Sequence, residues 1–247
     1  MSSVDIILWV FSRANKKDSI ADLYAEAMRK MVSLPPPLGF SQAELPATPD
    51  CGDGLSATFS VRKLTPGIKF IGNYKFRGER YSYEDRAAFD DSFRFGFKSS
   101  NKGLNYASIL REQFPRVIEA FGGYRAFISY GLHDLHYASG GDNGYDSQGY
   151  PIELNEIYNQ LRRDKSIDID GRNNIYTLRP AMYWDDELCR RALGFGADEV
   201  IARLRGEVPV AERLMSGVYL VLNDDLNLSY QGFVEMNERI KPMLGLR

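Results

Sequence analysis

The sequence predicts an α+β fold, with a mixed or antiparallel sheet flanked by helices and a closing strand-helix unit. Three observations carry this. A β-branched and aromatic run, Val4–Phe11, precedes the amphipathic stretch "DSIADLYAEAMRKM". A second pair of the same kind, "SGVYLVLNDD" and then "LSYQGFVEMNERIKPMLGL", closes the chain. Between them, strands and helices interleave with no fixed repeat and none of the strand-helix rhythm of a parallel sheet.

Each element has its local reason. Val4–Phe11 is short and rich in Ile, Val and Trp, as a buried strand is. In the helix after it, Ile20, Leu23, Tyr24, Ala27, Met28 and Met31 recur at helical spacing, and Asp18 or Ser19 can cap the first turn. Residues 34–54 are rich in proline, which lacks an amide hydrogen and fixes its own backbone angle, so a long surface loop is expected. Residues 56–76 read as two or three short strands broken at Pro66-Gly67. "SYEDRAAFDDSFRFGF", with Ser82 and Asp85 at capping-box spacing, reads as a short helix.

A helix is expected from Tyr106 to Phe121, kinked or restarted at Pro115 and ended by Gly122-Gly123. "YRAFISY" has strand composition, "IELNEIYNQLRR" reads as a helix and "NIYTL" as a strand. "DDELCRRAL" and "ADEVIARL" are short helices separated by "GFG". The final helix gathers Phe233, Met236, Ile240, Met243 and Leu244 on one face.

The length of 247 residues suits one large domain or two small ones, and one domain over 1–247 is the expectation. With 44% hydrophobic and 26% charged residues the chain has the material for a core, which excludes a disordered polypeptide. A formal net charge of -2 provides no cationic field, so neither nucleic acid nor a membrane surface is an expected partner. Cys51 and Cys189 are far apart with no Cys-x-x-Cys spacing, which points to free thiols in a reducing compartment. Val4–Phe11 is too short to cross a bilayer and lacks the flanks of a signal peptide, so a cytoplasmic location is expected.

The stretch "GLHDLHYASGGDNGYDSQGYP", residues 131–151, holds both histidines of the chain. As a zinc site it offers only His133 and His136 with aspartates to complete the set. As a calcium loop starting at Asp142 it lacks a ligand at Gly144 and the required glycine at Ser147. A small metal-dependent or His/Asp hydrolase using His133, Asp134 and His136 within 133–146 is the alternative reading. No Gly-x-Ser-x-Gly nucleophile is present, and Cys189 reads as a core cysteine in a helix despite its arginine neighbours. "GFGADEV" sets Glu199 where a dinucleotide-binding turn needs glycine. The pairs Asp90-Asp91, Asp185-Asp186 and Asp224-Asp225 read as structural, Asp185-Asp186 as a helix start and Asp224-Asp225 as a turn.

What remains is a recognition loop. Tyrosine offers large amphipathic contact area with few rotatable bonds, glycine lets a loop conform, and aspartate complements a basic patch. The residues expected to grip a partner are Asp134, Tyr137, Asp142, Tyr145, Asp146 and Tyr150, aided by Asp224 and Asp225 in the turn after the last strand. No catalytic residue, cofactor or metal ligand is assigned.

The two ends of the chain, "DIILWVFSRANKKDSIADLYAEAMRKM" and "RRALGFGADEVIARLRGEVPVAERLMSGVYLVLNDDLNLSYQGFVEMNERIKPMLGL", resemble bacterial polymorphic-toxin immunity proteins, most nearly the immunity protein 52 family. The likeness covers those two segments and leaves the middle of the chain unmatched. It implies an α+β protein without enzymatic activity that neutralises a cognate effector toxin by tight binding. The toxin would arrive by a contact-dependent or type VI secretion route, with nucleases of restriction-endonuclease type as the leading class.

Overall fold

A computed structural model describes residues 3–77, 84–139 and 155–246. The chain forms two compact units, Met1–Ile128 and Ser129–Arg247. Its strands pair antiparallel in every register described, so the fold is α+β, and it ends on a strand and a helix.

In the first unit β1 (Asp5–Ser12) lies between β4 (Asp91–Lys98) and β5 (Arg125–Tyr130), with β3 (Lys69–Lys75) and β2 (Ser56–Ser60) beyond β4. Alternate residues of these strands are buried: Ile6, Leu8 and Val10 of β1, Phe70 and Tyr74 of β3, and Phe93, Phe95 and Phe97 of β4. Interlocked rings fill this core, with Phe93 stacked on Phe121 at 4.1 Å and Phe70 tilted against Phe95 at 4.7 Å. Each fully buried phenylalanine contributes roughly 1.5–3 kcal/mol relative to exposure. Helix α1 (Ile20–Ser33) turns Tyr24, Ala27, Met28 and Met31 inward, and Ser19 caps it by accepting from the Asp22 amide.

Two expectations fail here for identifiable reasons. The proline-rich 34–54 segment is not wholly a surface loop: Leu38 and Phe40 are buried, and Phe40 packs edge-on to Phe70 at 5.1 Å. The short helix expected within 82–97 is a 3-10 turn at Ala87–Phe89 followed by β4, whose alternating Phe93, Phe95 and Phe97 obey the period of a strand. The helix expected from Tyr106 to Phe121 is present as α2 (Tyr106–Ser108), a π turn (Ile109–Gln113) and α3 (Phe114–Ala120). Pro115 opens α3, and the wider turn before it accommodates a residue that has no amide to donate.

The second unit comprises α4 (His133–Ser139), α5 (Glu156–Arg163), β6 (Ala181–Asp185), α6 (Asp186–Leu193), α7 (Ala197–Leu204), β7 (Val210–Leu214), β8 (Gly217–Val221) and α8 (Tyr230–Ile240). β8 runs between β6 and β7. Every residue of β8 is buried, so it reads as a continuous apolar run rather than an alternation. Asp185 caps α6 by accepting from the Leu188 amide, and Gly194, at φ 82°, ends it in the left-handed conformation that glycine adopts without strain.

"NIYTL" is not a strand. Its amides find side chains in place of a neighbouring strand: Tyr176 and Thr177 donate to Asp170 Oδ1 at 2.7 and 2.8 Å. Leu178 donates to Asn237 Oδ1 at 2.9 Å, and Asn237 Nδ2 donates back to the Leu178 carbonyl at 2.8 Å. Beside this segment Arg179 is buried against two carboxylates, its Nε donating to Asp134 at 2.8 Å and its Nη2 to Asp170 at 3.2 Å. Burial opposes the guanidinium's charge, but the attraction of Asp134 and Asp170 outweighs it and raises the pKa further.

Two stability losses follow, both readable by urea unfolding. Asn237→Ala orphans the Leu178 amide and carbonyl in the core and should cost at least about 2 kcal/mol. Arg179→Ala leaves two partly buried carboxylates uncompensated and should cost about 3–5 kcal/mol, much of it restored in the triple variant Asp134→Asn, Asp170→Asn, Arg179→Met. A loss below about 1 kcal/mol for Arg179→Ala would contradict this reading of the pair.

Candidate interaction surface

The Arg179 ion pairs fix two tyrosine-bearing segments. Asp134 belongs to α4, which carries Tyr137, and Asp170 holds the backbone at Tyr176. The rings of Tyr137 and Tyr176 meet at 5.6 Å, and Tyr158 of α5 meets Tyr176 edge-on at 5.2 Å. Asn155 locks them together, its Nδ2 donating to the Tyr137 carbonyl at 2.9 Å and to the Tyr176 hydroxyl at 2.6 Å. The Asn155 amide also donates to the Ala138 carbonyl at 3.0 Å, so the described residues on either side of 140–154 are joined at this point.

Beneath the rings lies Lys241, its Nζ 4.3 Å from the Tyr176 centroid and 4.7 Å from that of Tyr137. Burial pulls the ammonium down to about 8, against an opposing pull from Asp170. Burial likewise raises the hydroxyl pKa values of Tyr137, Tyr158, Tyr176 and Tyr230, so all four remain neutral donors at physiological pH.

Helix α5 borders this group and no residue of it is buried, although Ile157, Tyr158 and Leu161 sit at helical spacing on one side. Ile157 is 48% exposed and stands between two open depressions. One, of about 510 Å³, is lined by Tyr137, Asn155, Glu156, Tyr176, Tyr230 and Val234 together with Ile157. The other, of about 350 Å³, runs past Leu161, Ile167, Ile175 and Leu246. The surface is therefore apolar and aromatic with hydroxyl, amide and carboxylate groups at its margin.

The residues expected from the sequence fall into three groups. Tyr137 is part of the tyrosine cluster. Asp134 faces inward, its Oδ2 accepting from Arg179 and from the Ser129 hydroxyl at 3.0 Å, a role as a strut rather than a free carboxylate. Asp224 and Asp225 are exposed in the turn after β8, where Asp225 Oδ1 accepts from the Asn227 amide at 2.8 Å. Asp142, Tyr145, Asp146 and Tyr150 lie outside the described residues. Ile157, Tyr158, Tyr176 and Tyr230 join the surface without a motif to mark them; the helical spacing of Ile157, Tyr158 and Leu161 in 156–163 is the one signal the sequence offers.

The stretch from 131 onward begins as helix α4 rather than as a loop, and both histidines lie on it. His133 Nε2 is 3.0 Å from the Leu228 carbonyl, an acceptor, so that nitrogen carries a proton and is unavailable as a ligand. The ring packs among Tyr130, Tyr230 and Phe233, and His136 meets Tyr230 edge-on at 5.5 Å. Among the described residues no group of three or more His, Cys, Asp or Glu is placed to hold a metal ion. Cys189 is fully buried and its thiol is pushed up to about 12 by burial, leaving it a core residue. Asp90 accepts from the Tyr124 hydroxyl at 2.5 Å and Asp91 from Arg77, so that adjacent pair is structural. No described helix is long and apolar enough to cross a membrane.

The depressed Lys241 gives a pH test. Its folded pKa lies below its ordinary value of 10.5, so the unfolded chain binds the extra proton between about pH 8 and 10.5, and its contribution to stability rises with pH across that window. Relative to the parent, Lys241→Met should remove that rise when unfolding free energies are compared from pH 7 to 10; an unchanged slope would contradict it.

No family model matches the chain, and no curated protein matches it. A solved structure of a Pseudomonas aeruginosa T6SS protein aligns with 98% of this chain and 77% of its own, at 13% identity and a TM-score of 0.45.

Proposed function

We propose that this protein is an immunity protein that binds and neutralises a cognate effector toxin, and that the toxin seats on the surface formed by α5 and the tyrosine cluster. The observation that carries the reading is α5 itself, an amphipathic helix whose apolar side is only partly covered, with Ile157 exposed and Tyr158 and Leu161 half-buried. A helix of this kind normally owes its stability to packing, and an apolar side left in solvent marks a place for a partner. Tyrosine is enriched among interface hot spots, and here the rings of Tyr137, Tyr158 and Tyr176 are held in place by mutual contact and by Asn155, which limits the entropy lost on binding. Glu156 lines this surface, and Asp224 and Asp225 are exposed in the turn after β8; such carboxylates suit the lysine- and arginine-lined site of a nuclease. The resemblance of the chain's ends to immunity proteins points the same way. No catalytic role is proposed for any residue.

The test is co-expression with the product of the adjacent open reading frame, followed by calorimetric titration of the purified pair. The expected results are growth rescue and a tight 1:1 complex. Ile157→Asp and Tyr230→Ala should each weaken that complex by about 2 kcal/mol or more, some 30-fold in Kd. Lack of rescue together with lack of binding overturns the proposed function; full affinity in both variants removes this surface from the interface.

A further inference from the structure

The strands of the first unit separate two chemistries. Along β1, β2, β3 and β4 every second residue is buried in the aromatic core, and the residues between them share the opposite face. The registers place those side chains in rows: Ser60, Ile71, Arg94 and Trp9 lie side by side, as do Thr58, Asn73, Ser92 and Phe11, while Lys69 and Ile7 flank Gly96. Trp9 and Phe11 lie nearly parallel, 5.5 Å between centroids, and both are only half-buried. The guanidinium of Arg94 sits over the Trp9 ring at 5.5 Å.

This face is basic although the chain is not. Among the described residues of these four strands, Lys69, Lys75, Arg94 and Lys98 share it with one carboxylate, Asp5, which pairs with Lys98 at 2.8 Å. We infer that the face is a second docking surface, distinct in chemistry from the α5 surface, for an acidic segment of a partner protein. Charge complementarity selects an anionic occupant. The Arg94-Trp9 contact then discriminates among anions. A guanidinium resting on an indole covers the ring face on which a nucleobase would stack, while its planar fork suits bidentate capture of a carboxylate. Half-buried Trp9 and Phe11 supply the apolar area that turns a charged encounter into a seated contact.

The experiment uses the intact chain and the emission of Trp9. The other tryptophan, Trp184, is fully buried, so a change on adding poly-L-glutamate reports on this face, and Trp9→Phe should abolish the signal. Arg94→Glu, or Arg94→Gln should the charge reversal fail to fold, should lower the apparent affinity by about tenfold or more, and added salt should lower it further. Oligo-dT at matched charge should bind about tenfold more weakly than the polypeptide. An unchanged emission, a signal that survives Trp9→Phe, full affinity in both Arg94 variants, or tighter binding of oligo-dT would each overturn the inference. The last would make the face a nucleic-acid surface instead.

Discussion

The arrangement of the second unit depends on one buried cation. Arg179 lies between Asp134 of α4 and Asp170 of the irregular 168–177 segment and ties these two pieces of chain together beneath the Tyr137–Tyr176 contact. The segment forms no strand, so its amides depend on the Asp170 carboxylate and on Asn237, and that carboxylate is oriented in turn by Arg179. An ion pair taken from water is a poor source of net stability but a strong constraint on geometry, because any other arrangement leaves a charge buried alone. The constraint is passed outward: α4 positions Tyr137, the segment positions Tyr176, and Asn155 joins both to the start of α5. A surface built on such a base is preorganised, and preorganisation limits what binding loses to ordering.

Much of this architecture is legible in the residues. The opening strand and helix, the strand at 125–130, the two short helices around "GFG" and the closing strand and helix all follow from periodicity and caps, with Ser19, Asp185 and Gly194 in the roles their residue types favour. The 82–97 stretch misleads because Ser82 and Asp85 imitate a capping box, while the competing period of two in Phe93, Phe95 and Phe97 determines the outcome. "NIYTL" misleads in the opposite sense. Its composition is that of a strand, but its partners are side chains distant in sequence, which local patterns do not encode.

The interaction surface was half visible. The tyrosine-rich stretch that begins at His133 draws attention to Tyr137, yet Tyr158, Tyr176 and Tyr230 come from three other segments and converge only in the folded chain. Asp134 shows the converse. From sequence it is one more carboxylate in an acidic loop, and only the position of Arg179 turns it inward. A net charge of -2 also conceals a local gathering of charge, since the strands of the first unit collect lysine and arginine beside Trp9.

The central claim, that the protein acts through a preorganised surface at α5 and the tyrosine cluster, is tested most directly by hydrogen-deuterium exchange on the chain alone and with the product of the neighbouring gene. Binding there should slow exchange in residues 155–163 and 230–234 while leaving the amides of β2 and β3 unchanged. Protection confined to other segments, or no difference between the free and mixed samples, would contradict it.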